Sequence, residues 1–118
     1  MSFVTPRCSL RDDDRVRIRH MVDAAETLGQ FMAGRKREDL DGDRMLLFAV
    51  VRAIEILGEA AARVSDETRA SATDVPWTSI VGMRNRLVHG YFDVDAEIVW
   101  RTVTAEIPTL LVTLKRLL

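Results

Sequence analysis

Asp43-Arg44-Met45-Leu46-Leu47-Phe48-Ala49-Val50-Val51-Arg52-Ala53-Ile54-Glu55-Ile56-Leu57-Gly58-Glu59-Ala60-Ala61-Ala62-Arg63-Val64 is the run on which the fold turns. Leu46, Val50, Ala53, Leu57, Ala61 and Val64 recur at three- and four-residue steps, the period of an α-helix and not of a strand. Leu47, Ile54 and Ile56 lie off that stripe, so the predicted helix over about 43–65 is apolar on more than one side. A helix of this kind is either central in a bundle or part of an interface. Gly58 and the Ala60-Ala61-Ala62 run carry small side chains, which permit another helix to approach closely.

Upstream, residues 1–8 read as a loose lead-in. Ser9 with Asp12 three residues on resembles a capping box with Asp in place of Glu, and Asp12, Asp13 and Asp14 would fill a first turn that the helix dipole favours. Ile18, Met21, Val22, Ala25, Leu28 and Met32 form one apolar stripe, predicting a helix over about 10–33 that ends at Gly34. Asp39-Leu40-Asp41-Gly42-Asp43 suggests a calcium loop, but the spacing fails. An EF-hand needs glycine at its sixth position and glutamate at its twelfth, where this chain has Arg44 and Val50. The run reads instead as a turn with an N-cap for the next helix.

Downstream, 66–72 suggests a short helical turn. Asp74 and Pro76 mark a restart, with Asp74 as cap and Pro76 in a first turn. A helix over 76 to about 88 follows, with Gly90 as its terminator. Asp93 or Asp95 would cap a last helix over about 95–117. Pro108 inside it removes a hydrogen bond to the Thr104 carbonyl, which predicts a kink near 104–108. Strand-like alternation is absent. The expectation is a single all-α domain over 1–118, an up-down bundle of four main helices plus a short helical turn. The spare apolar surface of the second and last helices points to a homodimer.

At 118 residues there is room for one compact domain, and 47% apolar residues suffice for its core. The net charge of −1 means that no global basic field advertises a polyanion partner, so such a site must be local. Cys8 is the only cysteine, which excludes an intramolecular disulfide and a cysteine metal site within one chain and suits a reducing cytosol. No secretory leader or membrane-length apolar run is legible, so a soluble cytoplasmic protein is expected.

Chemistry concentrates in Arg84-Asn85-Arg86-Leu87-Val88-His89-Gly90-Tyr91, with guanidinium, carboxamide, imidazole and phenol groups and no acid. Histidine titrates near neutrality and can pass a proton, and arginine can hold a phosphate and its developing charge. This set suits metal-free cleavage of an RNA phosphodiester. Five residues of regular helix turn about 500°, which leaves Arg84 and His89 roughly 140° apart on the helix. They converge only if the helix ends near His89 or if two chains share the site.

Arg84-x4-His89-x-Tyr91, with Asn85 after the arginine and Gly90 before the tyrosine, resembles the signature of the HEPN superfamily, in the form found in HepT-type toxins. The Ala53–Ala61 run is similar to that family's second helix, and Trp77 with Ile80-Val81-Gly82-Met83-Arg84-Asn85 to its motif helix. The resemblance covers about residue 15 to the end. It implies a homodimeric, HEPN-like helical bundle with metal-independent RNA endonuclease activity and no cofactor. The protein would be the toxin of a type VII-like toxin–antitoxin pair. Arg84 and His89 would be catalytic in a cleft shared by two chains, with Asn85 positioning and Arg86 a weaker phosphate contact. The implied partners are RNA (tRNA or mRNA) and an MNT-type nucleotidyltransferase antitoxin, which would transfer AMP from ATP to Tyr91. Phosphates added beside Arg84 and Arg86 would then oppose RNA.

Other polar residues have plainer readings. His20 is expected on an ordinary surface, Glu55 and Glu59 paired with Arg52 or Arg63 at helical spacing, Arg35-Lys36-Arg37 as solvated loop charge, and Trp77 and Trp100 as core. A non-catalytic alternative is a nucleotide-binding scaffold subunit of a minimal nucleotidyltransferase complex, which would need the same arginines.

Overall fold

Residues 10–87 and 94–118 are described by a computed structural model, and every regular element among them is helical. Helix α1 spans Asp12–Met32, α2 Asp39–Gly42, α3 Arg44–Ala62, α4 Asp66–Ser71, α5 Trp77–Val81, α6 Met83–Leu87 and α7 Ala96–Arg101. A π-helical turn, Thr102–Glu106, continues α7 without a gap into α8, Ile107–Leu117. The all-α bundle predicted from the 3.6-residue period is the architecture formed. Its main segments are α1, α3, the α5–α6 pair and the α7–α8 run. No helix among the described residues is long and apolar enough to cross a membrane.

Helix α3 takes the central place that its broad apolar surface requires, packing on α1, α5 and α6. Leu46, Val50, Ala53, Leu57, Ala61 and Val64 are all buried, as is Ile54 from the second stripe. All six stripe residues of α1, Ile18 to Met32, are buried against it. Burying a side chain such as Leu or Ile contributes about 1.5–3 kcal/mol. Gly58 is where the close approach happens: a Cβ there would lie 3.2 Å from the Ile80 carbonyl oxygen of α5. Met45 and Phe48 remain exposed on the far side of α3, and Ile56 is exposed at the edge of its groove with α1.

The helix ends follow local chemistry with three corrections. Asp43 caps α3, accepting from the Leu46 N–H at 3.1 Å, and Gly34 turns the chain after α1 at φ +73°. The expected Ser9 cap lies outside the described residues, and Arg11 occupies the N-cap of α1 with no side-chain bond. Residues 39–42, expected as a turn, wind into one helical turn. Asp74 does not cap: Pro76 itself is the N-cap of α5, again with no side-chain bond.

The helix expected over 76–88 is broken at Gly82. Its N–H bonds the Thr78 carbonyl at 3.0 Å, while its own carbonyl accepts from Asn85 N–H only three residues on, at 3.1 Å. This tightened turn separates α5, which buries Trp77 and Ile80, from α6, which buries Met83 and Leu87. After proline, glycine is the residue that a helix interior holds least firmly.

The disturbance expected at Pro108 is present as the π-helical turn. The Ile107 N–H bonds the Thr102 carbonyl five residues back, one more than in an α-helix. The wider turn accommodates a proline ring that would collide with the carbonyl four residues back. Of the two expected caps for this run, Asp95 serves, accepting from Glu97 N–H at 3.1 Å and Ile98 N–H at 3.2 Å. Asp93 lies outside the described residues.

One polar tie in the interior has no counterpart in the local sequence. Asp14, 2% exposed, accepts from the Ser65 N–H (2.9 Å), the Ser65 hydroxyl (2.6 Å) and the Thr68 hydroxyl (2.6 Å). A first-turn acid of α1 thereby secures α4. Arg69 of α4 in turn donates to the carbonyls of Ala61 (2.9 Å) and Val64 (3.2 Å), satisfying acceptors at the end of α3.

Candidate functional site

Met83 and Leu87, four residues apart, face inward from α6 and leave Arg84, Asn85 and Arg86 exposed. The residues that carry chemistry are therefore outside because two apolar anchors hold the other side of the turn. His89, Gly90 and Tyr91 lie outside the described residues. The flanks of their segment are pinned together: Asp95 N–H donates to the Leu87 carbonyl at 2.8 Å.

The two motif arginines do not form one basic patch. Arg84 turns to the central helix, where its Nε donates to Glu55 Oε2. Arg86 turns the other way, to the π-helical turn, with its Nη2 3.7 Å from Glu106 Oε1. Glu55 was expected to pair with Arg52 or Arg63. Arg52 does reach it, at 3.5 Å, and also reaches Glu59, at 3.1 Å. The bond to Arg84 comes in addition and spans 29 residues of sequence. Helical spacing could not reveal it, because the packing of α6 on α3 creates it.

Glu55 is mostly buried, with its side chain 22% exposed, whereas Arg84 is 54% exposed. The carboxylate is thus the more enclosed member, and it holds one N–H of a guanidinium that is itself more than half exposed. Arginine has five donors, so one bond to Glu55 leaves others for a phosphate. Asn85, beside it on the surface, offers both a donor and an acceptor.

Trp77, Trp100 and His20 take their expected places, whereas the Arg35-Lys36-Arg37 cluster, expected as solvated loop charge, is in part ion-paired. Trp77 is core, and its indole N–H donates to the Ala72 carbonyl at 3.0 Å. Trp100 is partly buried against the same core. His20 is exposed at the α1–α3 groove with Ala24, Thr27, Ala53 and Ile56. The basic cluster after α1 is tied to acids: Arg35 to Asp43 at 3.6 Å, and Arg37 to Glu97 at 2.8 Å and Asp41 at 3.0 Å. The hydrogen bond to Glu97, with that to Asp41, pushes the Arg37 guanidinium further above its ordinary value. These arginines link α2 to α7 and the α1–α2 connection to α3.

A family model described as "Ribonuclease HepT-like" matches residues 21–117. A protein of Caldanaerobacter subterraneus subsp. tengcongensis named "Putative RNase TTE0752" is 40% identical over 93 residues, covering 79% of this chain and 83% of the relative. "Probable ribonuclease HepT" of Thermococcus cleftensis is 36% identical over 90 residues, covering 76% of this chain and 82% of its own length. No solved structure matches significantly.

Proposed function

The chain belongs to the ribonuclease HepT-like family, and we propose that it is an RNA endonuclease acting without a metal. The observation that carries this reading is Arg84: a motif guanidinium exposed on α6 and held at one N–H by the mostly buried Glu55. In the reaction, His89 takes the proton of the RNA 2′-hydroxyl, whose oxygen attacks the adjacent phosphorus. The 5′-oxygen leaves and recovers a proton, and the charge gathered on the phosphate is met by Arg84. Asn85 orients the imidazole or a phosphate oxygen. Arg86, turned toward Glu106, is a peripheral phosphate contact at most. A homodimer that brought two motifs to one cleft would let Arg84 of one chain act with His89 of its partner.

The reading extends to a toxin held in check by an MNT-type nucleotidyltransferase. There the Tyr91 oxygen attacks the α-phosphorus of ATP, a Tyr–AMP phosphodiester forms, and pyrophosphate leaves. Co-expression with such a partner should add AMP increments to the intact mass. The increments should vanish in Tyr91→Phe, and their persistence there would move the modification elsewhere. For cleavage itself, the test is the purified chain with tRNA or mRNA in excess chelator. Cut RNA is the expected result, and intact RNA overturns the proposal.

Glu55 enters as a positioning residue. Glu55→Ala should lower kcat by about tenfold while leaving KM within about twofold, because a misplaced charge costs more in the transition state than in binding. Glu55→Gln, which keeps an acceptor for the Arg84 Nε–H, should recover much of the loss. Equal kcat in Glu55→Ala and wild type would remove this role.

A further inference from the structure

Between α1 and α3 runs a groove that Arg84, Asn85 and Arg86 do not border. Arg17 and His20 of α1 share a cavity of about 120 Å³ with Ala60 and Arg63 of α3. Asp23 and Thr27 share a second, of about 300 Å³, with Ala53. His20 and Ile56 border both, so the two cavities are neighbours in one groove. From Arg17 to Thr27 it follows α1 for about 15 Å.

The floor of the groove is apolar. Ala24, Ala53 and Ala60 are buried, and Ile56 is 39% exposed. Side chains as small as alanine leave the room that the cavities occupy, and covering Ile56 would remove apolar surface from water. The rim is charged differently at its two ends. Arg17 and Arg63 border the smaller cavity together with Glu59, whose carboxylate is engaged by Arg52 at 3.1 Å. Asp23 borders the larger one. Among the described residues, Arg17, Arg63 and Asp23 make no ion pair. One end therefore offers free cations and the other a free carboxylate. A polynucleotide, anionic along its whole length, would be repelled by Asp23; a polypeptide that carries both signs of charge matches the two ends.

We propose that the α1–α3 groove docks an amphipathic helix of a partner protein. Ala53 and Ala60, one in each cavity, lie seven residues and about 10 Å apart along α3. Two apolar side chains of the partner helix with that same spacing enter the two cavities, one of leucine size in the larger and one of valine size in the smaller. Acids beside the smaller anchor meet Arg17 and Arg63, and a lysine or arginine beside the larger anchor meets Asp23. The anchors supply most of the affinity, and the charges set direction and partner choice.

The test uses the full chain and a labelled helical peptide of about 18 residues, long enough to span the groove. Valine flanked by glutamates stands in its first half, with leucine seven residues later beside a lysine. A second peptide exchanges the glutamates and the lysine. By fluorescence anisotropy the first should bind saturably below about 1 mM, and at least about fivefold more tightly than the second. The combined variant Arg17→Glu with Arg63→Glu should abolish or reverse that preference. Ile56→Arg, a change at a surface position, should weaken the first peptide about tenfold or more while melting stays close to wild type. Absence of saturable binding, or a preference that the combined variant leaves unchanged, overturns the proposal. Displacement of the peptide by tRNA would make the groove a polynucleotide surface. A wild-type dimer that light scattering finds lost in Ile56→Arg would assign the groove to a second copy. Either result overturns the partner helix, and none of these outcomes depends on RNA cleavage.

Discussion

His89→Ala and Arg84→Ala are each expected to reduce RNA cleavage by at least about a hundredfold, with thermal stability close to wild type. Loss of a positioned acid–base removes about 10²–10⁴ in rate, and loss of a preorganised charge at the phosphate about 10²–10³. Combining the two should cost little more than the worse single change, since groups acting on one transition state are not additive. Arg84 lies on an exposed turn whose anchors are Met83 and Leu87, so its removal takes nothing from the core. Arg84→Lys separates charge from geometry. It keeps the cation but loses the planar fork and the Nε–H held by Glu55, and should stay well below wild type. The measurement is the initial cleavage rate of one RNA, with melting curves as the folding control. Wild-type rates in His89→Ala would end the proposed mechanism.

Asp14→Ala should cost about 3 kcal/mol of folding stability, a fall in Tm of roughly 10 °C for a domain of this size. Three donors converge on this carboxylate: the Ser65 N–H, the Ser65 hydroxyl and the Thr68 hydroxyl. The alanine leaves them unpaired, the Thr68 hydroxyl buried and the two Ser65 donors half-buried, and frees α4 from α1. Burial by itself would raise the Asp14 pKa. The side-chain bonds from Ser65 and Thr68, then the Ser65 N–H and the charge of Arg11, outweigh it and hold the carboxyl below its ordinary 3.8. A group depressed in the folded state stabilises above its unfolded pKa, and that contribution is lost as pH falls through the folded value. The stability gap between wild type and Asp14→Ala should therefore be constant from neutrality to about pH 5 and narrow below 3.8. Chemical denaturation at several pH values would show it, and a gap independent of pH down to 2 would rule out this origin.

Much of the bundle was legible because helix period, glycine and capping chemistry act over a few residues. The stripes of α1 and α3 are buried as read, Asp43 and Asp95 cap as read, and the distortion near Pro108 falls where a missing N–H puts it. The misreadings share one cause, which is that local signals compete. Asp74 could cap but Pro76 takes the N-cap position, and Gly82, tolerable inside a helix, instead divides α5 from α6. Arg84, Asn85 and Arg86 were legible as candidates from residue type and spacing. His89 and Tyr91 belong to the same motif but lie outside the described residues.

Residue order alone was enough for the helical class, the approximate helix spans and the family, since each rests on periodicity or on a motif contiguous in the chain. Only the packed molecule decides which acid meets which base. Glu55 reaches Arg84 across 29 residues, Asp14 reaches Ser65 across 51, and Arg86 comes to face Glu106 across the π-helical turn. These pairs depend on which faces the helices turn toward one another, and that follows from burying many apolar side chains at once, of which no short stretch holds a record.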